Sequence, residues 1–347
     1  VRDTGWTLLA ACRGLLPGVR WIGSTILKLE QEASMNMTPF AAAASARLLA
    51  RLGAIACAGA ATLASAQPQP QPPGQTTTTI GAAGISQIKA NLDGGGKAGW
   101  NSLGVNLSIA HQFSPALSAS IRAGYVTEDW RFETPTAFGA REPWGRINRP
   151  SLGFNFSYAA SADVAWFVAP QFQWDYESDA SASDGLSYGA VFGVTKVYSP
   201  ALVVGFGLGV FRQIDDTKYF PFLIVNWQIN DKLRLSNPLP AGPAGGAGLE
   251  LVYALDQGWE LAGGAAYRDY RFRLNADAAA PDGIGRNTGV PVFARLTRKF
   301  GPAGRIDFYA GLVADGRLRL LDTNGETLRS ADYGTAPLLG ITGSYSF

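Results

Sequence analysis

Histidine and cysteine are almost missing from this chain of 347 residues, which holds one histidine, His111, and two cysteines, Cys12 and Cys57. A single histidine excludes a two-histidine metal site. Both cysteines precede residue 67, so the remainder has no thiol, no disulfide framework and no thiolate metal centre. Charge is sparse and balanced. Of 29 Lys+Arg and 27 Asp+Glu, six and three fall in residues 1 to 66, which leaves 23 against 24. No block of like charge suggests a nucleic-acid partner. From Thr77 onward there is also no apolar run of about 18 residues, so no transmembrane helix is expected.

The first methionines are Met35 and Met37, and a secretory layout follows them. Arg47 and Arg51 supply a positive region, "LGAIACAGAATL" an apolar stretch, and Ala64, Ser65 and Ala66 a small-residue cleavage site. Residues 1–34 read as an over-called extension, 35–66 as a signal peptide cleaved near Ala66, and "QPQPQPPGQ" within 67–76 as an extended Pro/Gln linker. Residues 77–347 form the expected folded domain.

What that domain does have is period-two alternation in stretches of about ten residues. Leu103, Val105, Leu107 and Ile109 alternate with Gly104, Asn106 and Ser108; Leu152, Phe154, Phe156 and Tyr158 alternate with Gly153, Asn155 and Ser157. In "RIDFYAGLVADGRLRL", Ile306, Phe308, Ala310, Leu312 and Ala314 oppose Arg305, Asp307, Tyr309, Gly311, Val313, Asp315 and Arg317. One face is apolar, the other is Gly, Ser, Asn and charges of both signs, and no helix is available to cover either. The pattern predicts an all-β fold, a closed antiparallel transmembrane β-barrel, apolar outside and wet inside. Closure pairs every backbone N–H and C=O within lipid, which an open sheet cannot do.

Connections alternate between short ("SPA" at 114–116 and 199–201, "SAD", "ND", "DQG", "GPAG") and longer ("LDGGGKAG", "FETPTAFGAREPWGRIN", "ESDASASD", "DDTK", "NPLPAGPAGGA", "NADAAAPDGIG", "LDTNGET"). Thirteen connections give about 14 strands, with short turns periplasmic and longer loops extracellular. Twelve strands is the alternative, because the strand at "DKLRLS" is short. Trp227 and Trp259 fall beside short turns and Trp100, Trp130 and Trp174 toward loops, as two aromatic girdles require.

The last ten residues, "LLGITGSYSF", keep the alternation to the end. Leu339, Ile341, Gly343 and Tyr345 share one face, and a strand that must close a barrel against the first strand has reason not to fray. This ending resembles the C-terminal signature of bacterial outer-membrane barrels, which implies that Phe347, Tyr345 and Ile341 are read by the barrel-assembly machinery. The stretches "YFPFLIVNWQINDKLRLSNP" and "YRDYRFRL" resemble a family of uncharacterised, porin-like outer-membrane barrels defined as a domain of unknown function. That resemblance implies a fold and a place in the bacterial outer membrane, among lipid and lipopolysaccharide. It brings no catalytic residues.

Candidate residues follow from the alternation. Arg122, Arg268, Arg295, Arg305, Arg317 and Arg319, with Glu128, Glu250, Glu260, Asp307 and Asp315, are expected to face the lumen. There they would either set solute selectivity or pair and fill the interior. Arg271 and Arg273, with Tyr270 and Phe272, are expected at the outer end of their strand, where Arg suits lipopolysaccharide phosphates. Asp175, Glu177, Asp179 and Asp184 read as a solvated loop rather than a calcium loop, and "GIGRNTG" reads as turn chemistry rather than a phosphate loop. The loop at 132–148, carrying Arg141, Glu142, Trp144 and Arg146, either folds inward or caps the mouth. His111 lies by a short turn, away from where an outer-leaflet lipid hydrolase would need its base. The expectation is a channel or transporter for small solutes, with no enzyme activity, metal or cofactor. A structural or surface-interaction barrel with a filled lumen is the alternative, and a lipid-modifying enzyme ranks third.

Overall fold

The computed structural model describes residues 72–237 and 248–347; the extension, the signal peptide and the first half of the Pro/Gln linker lie outside them. Fourteen antiparallel strands form one closed sheet. They are β1 (Thr76–Asn91), β2 (Lys97–Gln112), β3 (Leu117–Glu133), β4 (Arg146–Ala159), β5 (Val164–Trp174, continued by Tyr176–Glu177), β6 (Leu186–Ser199) and β7 (Leu202–Gln213). The circuit continues with β8 (Asp216–Gln228), β9 (Leu233–Ser236), β10 (Gly248–Ala254), β11 (Trp259–Ala266, continued by Arg268–Arg273), β12 (Ile284–Phe300), β13 (Gly304–Leu321) and β14 (Thr327–Tyr333, continued by Ala336–Ser346). Each strand pairs with its sequence neighbours, and β14 returns to β1 in a register that runs from Thr79 opposite Ser346 to Gln87 opposite Leu338.

The final residue takes part in that closure. The Phe347 N–H donates to the Thr78 carbonyl at 2.8 Å, and the Phe347 ring meets the Tyr345 ring edge-on at 4.9 Å. Ile341, Tyr345 and Phe347 all stand on the outer face, Phe347 at 70% exposure. A terminal strand that is also a seam strand has its backbone bonds on both sides, which is why its alternation cannot lapse.

The predicted outward set is outward. Leu103, Val105, Leu107 and Ile109 on β2, Phe156 and Tyr158 on β4, Phe192 on β6, Phe206 and Leu208 on β7, and Phe308 on β13 are all exposed. So broad an apolar exterior is incompatible with water and suits hydrocarbon. Trp227 is on this surface beside a short turn. Trp100 and Trp130 are not: both point inward and are buried, because their positions share a face with Ser102 and Glu128 rather than with Leu103.

Two further expectations change. The connection at "DDTK" is only two residues, Ile214 and Asp215, with β7 ending at Gln213 and β8 starting at Asp216; the Thr217–Arg212 pairing continues the ladder to the tip. "GIGRNTG" is strand, since Ile284 to Gly289 pair with Arg273 to Arg268 of β11. Its central glycine admits a ring rather than shapes a turn: a Cβ on Gly285 would strike the Phe272 ring.

The two ends of the barrel differ in construction. At the loop end β5 breaks at Asp175 and β11 breaks at Tyr267, and the two continuations meet: Arg273 bridges Tyr176 in parallel, with the Arg273 N–H donating to the Asp175 carbonyl at 2.9 Å. The loop end therefore closes as a smaller ring of nine strands, β1–β5 and β11–β14. Within the described residues β9 is four residues long, a rise of about 13 Å, and β10 is described from Gly248 onward. Where β8 and β10 part, the Asn237 side chain joins them, accepting from the Val225 N–H at 3.0 Å and donating to the Leu223 carbonyl at 3.1 Å and the Gly248 carbonyl at 3.0 Å.

Candidate functional site: the lumen and its filled end

A ring of about eight strands has an interior just wide enough for side chains to fill, and the nine-strand ring is filled. Trp100 from β2, Trp130 and Phe132 from β3, Ile147 from β4, Phe272 from β11, Val313, Leu318 and Leu320 from β13 and Tyr333 and Leu338 from β14 converge in one buried cluster. The long loop settles its own question by folding inward. Phe138 and Trp144 enter the cluster, and Trp144 meets Trp130 and Phe132 at 5.5 Å and Phe272 at 5.2 Å, each nearly perpendicular. Such edge-to-face contacts add to the burial term.

Beneath this cluster, toward the short turns, the lumen face changes to small polar residues. Asn106, Ser108, Ser118, Ser120, Asn155 and Ser157 point inward and are partly accessible, whereas Ser102, higher on β2, is buried. On β6–β8 the inward residues are Phe211, Phe220 and Phe222, whose rings lie across glycines; a Cβ on Gly207 would strike Phe222, and one on Gly209 would strike Phe220.

The predicted lumen charges fall into three groups. In the first, on β10–β14, Arg295 donates to Glu250 Oε1 at 2.6 Å and faces Asp307 Oδ1 at 3.3 Å, while Lys299 pairs with Glu260 at 2.6 Å. Arg305 Nε donates to Asp307 Oδ2 at 3.1 Å, and the hydroxyls of Thr297 and Thr342 donate to the same carboxylate at 2.6 and 3.0 Å. These residues occupy adjacent strands, so they form a continuous network along one wall rather than opposed rows across a pore. Arg295 is buried, which its carboxylate partners make tolerable.

The second group belongs to the filled end. Glu128 accepts from Trp130 Nε1 at 2.6 Å and pairs with Arg149 at 3.1 Å, and Arg149 also faces Asp175 at 3.2 Å and lies 4.4 Å over the Tyr270 ring. Arg149 and Asp175 were not predicted as lumen residues; their alternation with Ile147, Ser151 and Gln173 is the signal that could have found them. Arg268 does point inward, donating to Gln87 Oε1 at 2.8 Å and to the Tyr333 hydroxyl at 3.2 Å.

The third group is displaced from the lumen. Asp315 adopts a left-handed backbone, φ 49°, at an irregularity in the β12–β13 register. The extra residue reverses the alternation, so Leu318 and Leu320 point inward and Arg317 and Arg319 outward; Arg317 pairs with Asp332, at 2.7 Å from Nη2. Arg122 stays on the lumen wall, and among the described residues it has no hydrogen-bond or ion-pair partner.

The expected lipopolysaccharide contacts are occupied by protein. Arg271 is buried and donates to Asp215 Oδ2 at 2.6 Å, at the tip of the β7–β8 hairpin. Arg273 donates to the Asp184 and Asp282 carbonyls at 3.2 and 2.6 Å. Between this inward-leaning segment and the wall of β5–β7 lies a narrow cleft of mixed character, where Gln171, Gln173, Gln213 and Arg271 meet Phe211 and Tyr270.

The remaining chemistry is modest. His111 Nδ1 is 2.7 Å from the Thr76 hydroxyl, and its ring meets Phe113 at 4.5 Å, beside a short turn. Glu177 accepts from the Gly145 N–H at 2.6 Å and the Asn275 N–H at 3.1 Å, which makes it a loop tether. Among the described residues no three His, Cys, Asp or Glu side chains converge as metal ligands.

No family model matches the chain, and no curated protein matches it. Solved structures do. The COG4313 outer membrane channel from Pseudomonas putida F1 is similar at 11% identity and TM-score 0.46, over 82% of this chain and 100% of that one. The KdgM porin is similar at 12% identity and TM-score 0.32, over 78% and 99%. A Pseudomonas aeruginosa FadL homologue gives 10% and 0.37, over 78% and 89%. At these values the likeness is one of general shape.

Proposed function

We propose that this chain is an outer-membrane channel for small solutes, with its short turns in the periplasm and its loops outside. The observation that carries the reading is the inner half of the lumen: a closed barrel with an apolar exterior whose inward face is accessible Ser, Asn and the unpaired Arg122. Water fills such a space, and a single uncompensated cation biases it toward anions. In this reading solute passes the aromatic cluster on the side of β5–β7, where the cleft at Gln171, Gln173 and Gln213 would have to widen.

The test is single-channel recording of the purified protein in planar bilayers under a salt gradient. Discrete steps with anion preference, reduced in Arg122→Ala, support the channel. A folded protein that gives no steps sinks it.

That silent outcome is what the second reading predicts. In it the filled loop end is permanent, and the barrel acts through its surface. The observation in its favour is the inward fold of the long loop, which seats Phe138 and Trp144 in the cluster.

A further inference from the structure

Several strand glycines of this barrel lie under a ring: Gly207, Gly209 and Gly285 are covered by Phe222, Phe220 and Phe272. Gly84 on β1 and Gly343 on β14 are different. A Cβ at Gly84 would meet only Leu103 Cδ2 at 3.6 Å and Ile341 Cγ2 at 3.7 Å, and one at Gly343 only the Arg305 carbonyl at 3.8 Å and Ile306 Cγ1 at 4.0 Å. These are ordinary contacts, and neither glycine has a positive φ. Both face outward on the seam that closes the barrel, where two adjacent cross-strand rows meet. In one row Ile306, Gly343, Ala82, Val105 and Tyr125 stand opposite one another in turn across β13, β14, β1, β2 and β3. In the other, Ile341, Gly84, Leu103 and Thr127 do so across β14, β1, β2 and β3. Small residues at the centre with large ones on both flanks leave an outward-facing groove of about 590 Å³, within the range of about 300–1,000 Å³ that small-ligand sites occupy.

The groove ends where the outer face turns from apolar to polar. One row further toward the loops stand Ser86, Asn101, Asp129 and Arg146. There Ser86 donates to Asn101 Oδ1 at 2.7 Å and Arg146 Nε to Asp129 Oδ1 at 2.6 Å, and at the groove's edge the Tyr125 hydroxyl donates to Asn148 Oδ1 at 2.7 Å. Thr127 sits at this boundary; its Oγ1 is buried and, among the described residues, has no hydrogen-bond partner. Below it the walls are continuous with the lipid-facing surface of Leu103, Val105 and Ile341. We propose that this groove seats one acyl chain of an outer-leaflet lipid, its methylenes over Gly84, Ala82 and Gly343 and its oxygen-bearing head end at Thr127. Within a bilayer the gain is van der Waals packing, and a chain laid in a groove touches protein on three sides rather than one. The rim charges are paired, Arg146 with Asp129 and Lys89 and Lys97 with Glu133, so the chain and not the charge of the head group is recognised. A second barrel is a poorer occupant: the concave patch is two short rows, whereas a stable protein interface takes about 20–30 residues a side.

The choice of leaflet rests on the loops facing outward; the seat itself does not depend on whether the lumen conducts. The test is native mass spectrometry of the purified protein released from detergent micelles, titrated with dimyristoylphosphatidylcholine and, separately, dimyristoylphosphatidylglycerol. One lipid is expected to stay bound at collision energies that strip all others, with equal retention of the two head groups. Gly84→Val combined with Gly343→Val fills the groove with side chains suited to a strand, and is expected to lower retention tenfold or more while the barrel keeps its heat-dependent gel mobility. Thr127→Val keeps the outline of the side chain and removes the hydroxyl, so it guards against a folding defect in the double substitution; a several-fold loss is expected there. No retained lipid in the native protein would overturn the proposal, as would equal retention in the native and substituted proteins. Retention of the phosphatidylglycerol alone would overturn recognition by the chain, and native dimers abolished by the double substitution would replace the lipid with a second copy.

Discussion

The two halves of one lumen are built from the same strands by opposite rules. Near the short turns β2 and β3 present Asn106, Ser108, Ser118 and Ser120, partly accessible, and charge sits in a paired network on the wall. Near the loops the same two strands present Trp100, Trp130 and Phe132, buried against a loop that folds inward. The switch coincides with a change in circumference. Fourteen strands surround the first half and nine the second, because the outer part of β11 crosses to β5. Width and chemistry change together: a wide ring lined with small polar groups stays wet, and a narrow one lined with rings becomes a core.

The comparison can be broken most forcefully at the charged wall. Arg295→Ala leaves Glu250 uncompensated in a buried setting, with Asp307 still held by Arg305, and a loss of about 3–5 kcal/mol is expected. The check is denaturant or thermal unfolding in detergent. At the other half Trp144→Ala is expected to cost a similar, cavity-driven amount, about 3–5 kcal/mol. It carries a second signature that Arg295→Ala lacks: removal of a ring from the filled end raises single-channel conductance.

The barrel and its strand number are legible in the sequence because closure imposes alternation on every strand, down to Tyr345 and Phe347. The filled half is not. Trp100 and Trp130 look like girdle residues by position along the strand, and only their parity with Ser102 and Glu128 turns them inward. The reversal at Asp315 needs one left-handed residue that composition does not reveal, and it moves Arg317 from the expected lumen to a pair with Asp332. The engagement of Arg271 by Asp215 joins residues 56 positions apart, a contact no local pattern encodes. Long-range closure decided these cases, whereas alternation reports only what each strand does by itself.

Smaller changes sharpen the contrast. Gly207→Ala places a methyl group against the Phe222 ring, and overpacking of this kind costs about 1–3 kcal/mol; the unfolding midpoint should fall without a change in ion selectivity. Arg122→Ala should do the reverse, shifting the reversal potential toward cations without lowering the unfolding midpoint, since it removes a partly buried charge that has no partner among the described residues.

The most direct test is aqueous access to the two halves, read on one strand. In a background where Cys12 and Cys57 are serine, Asn106→Cys and Ser102→Cys are made separately, and labelling by a membrane-impermeant maleimide is timed in detergent. A wet inner half under a filled outer half predicts labelling at position 106 at least tenfold faster than at position 102. Equal rates at the two positions would contradict it, because the lumen would then be open, or closed, along its whole length.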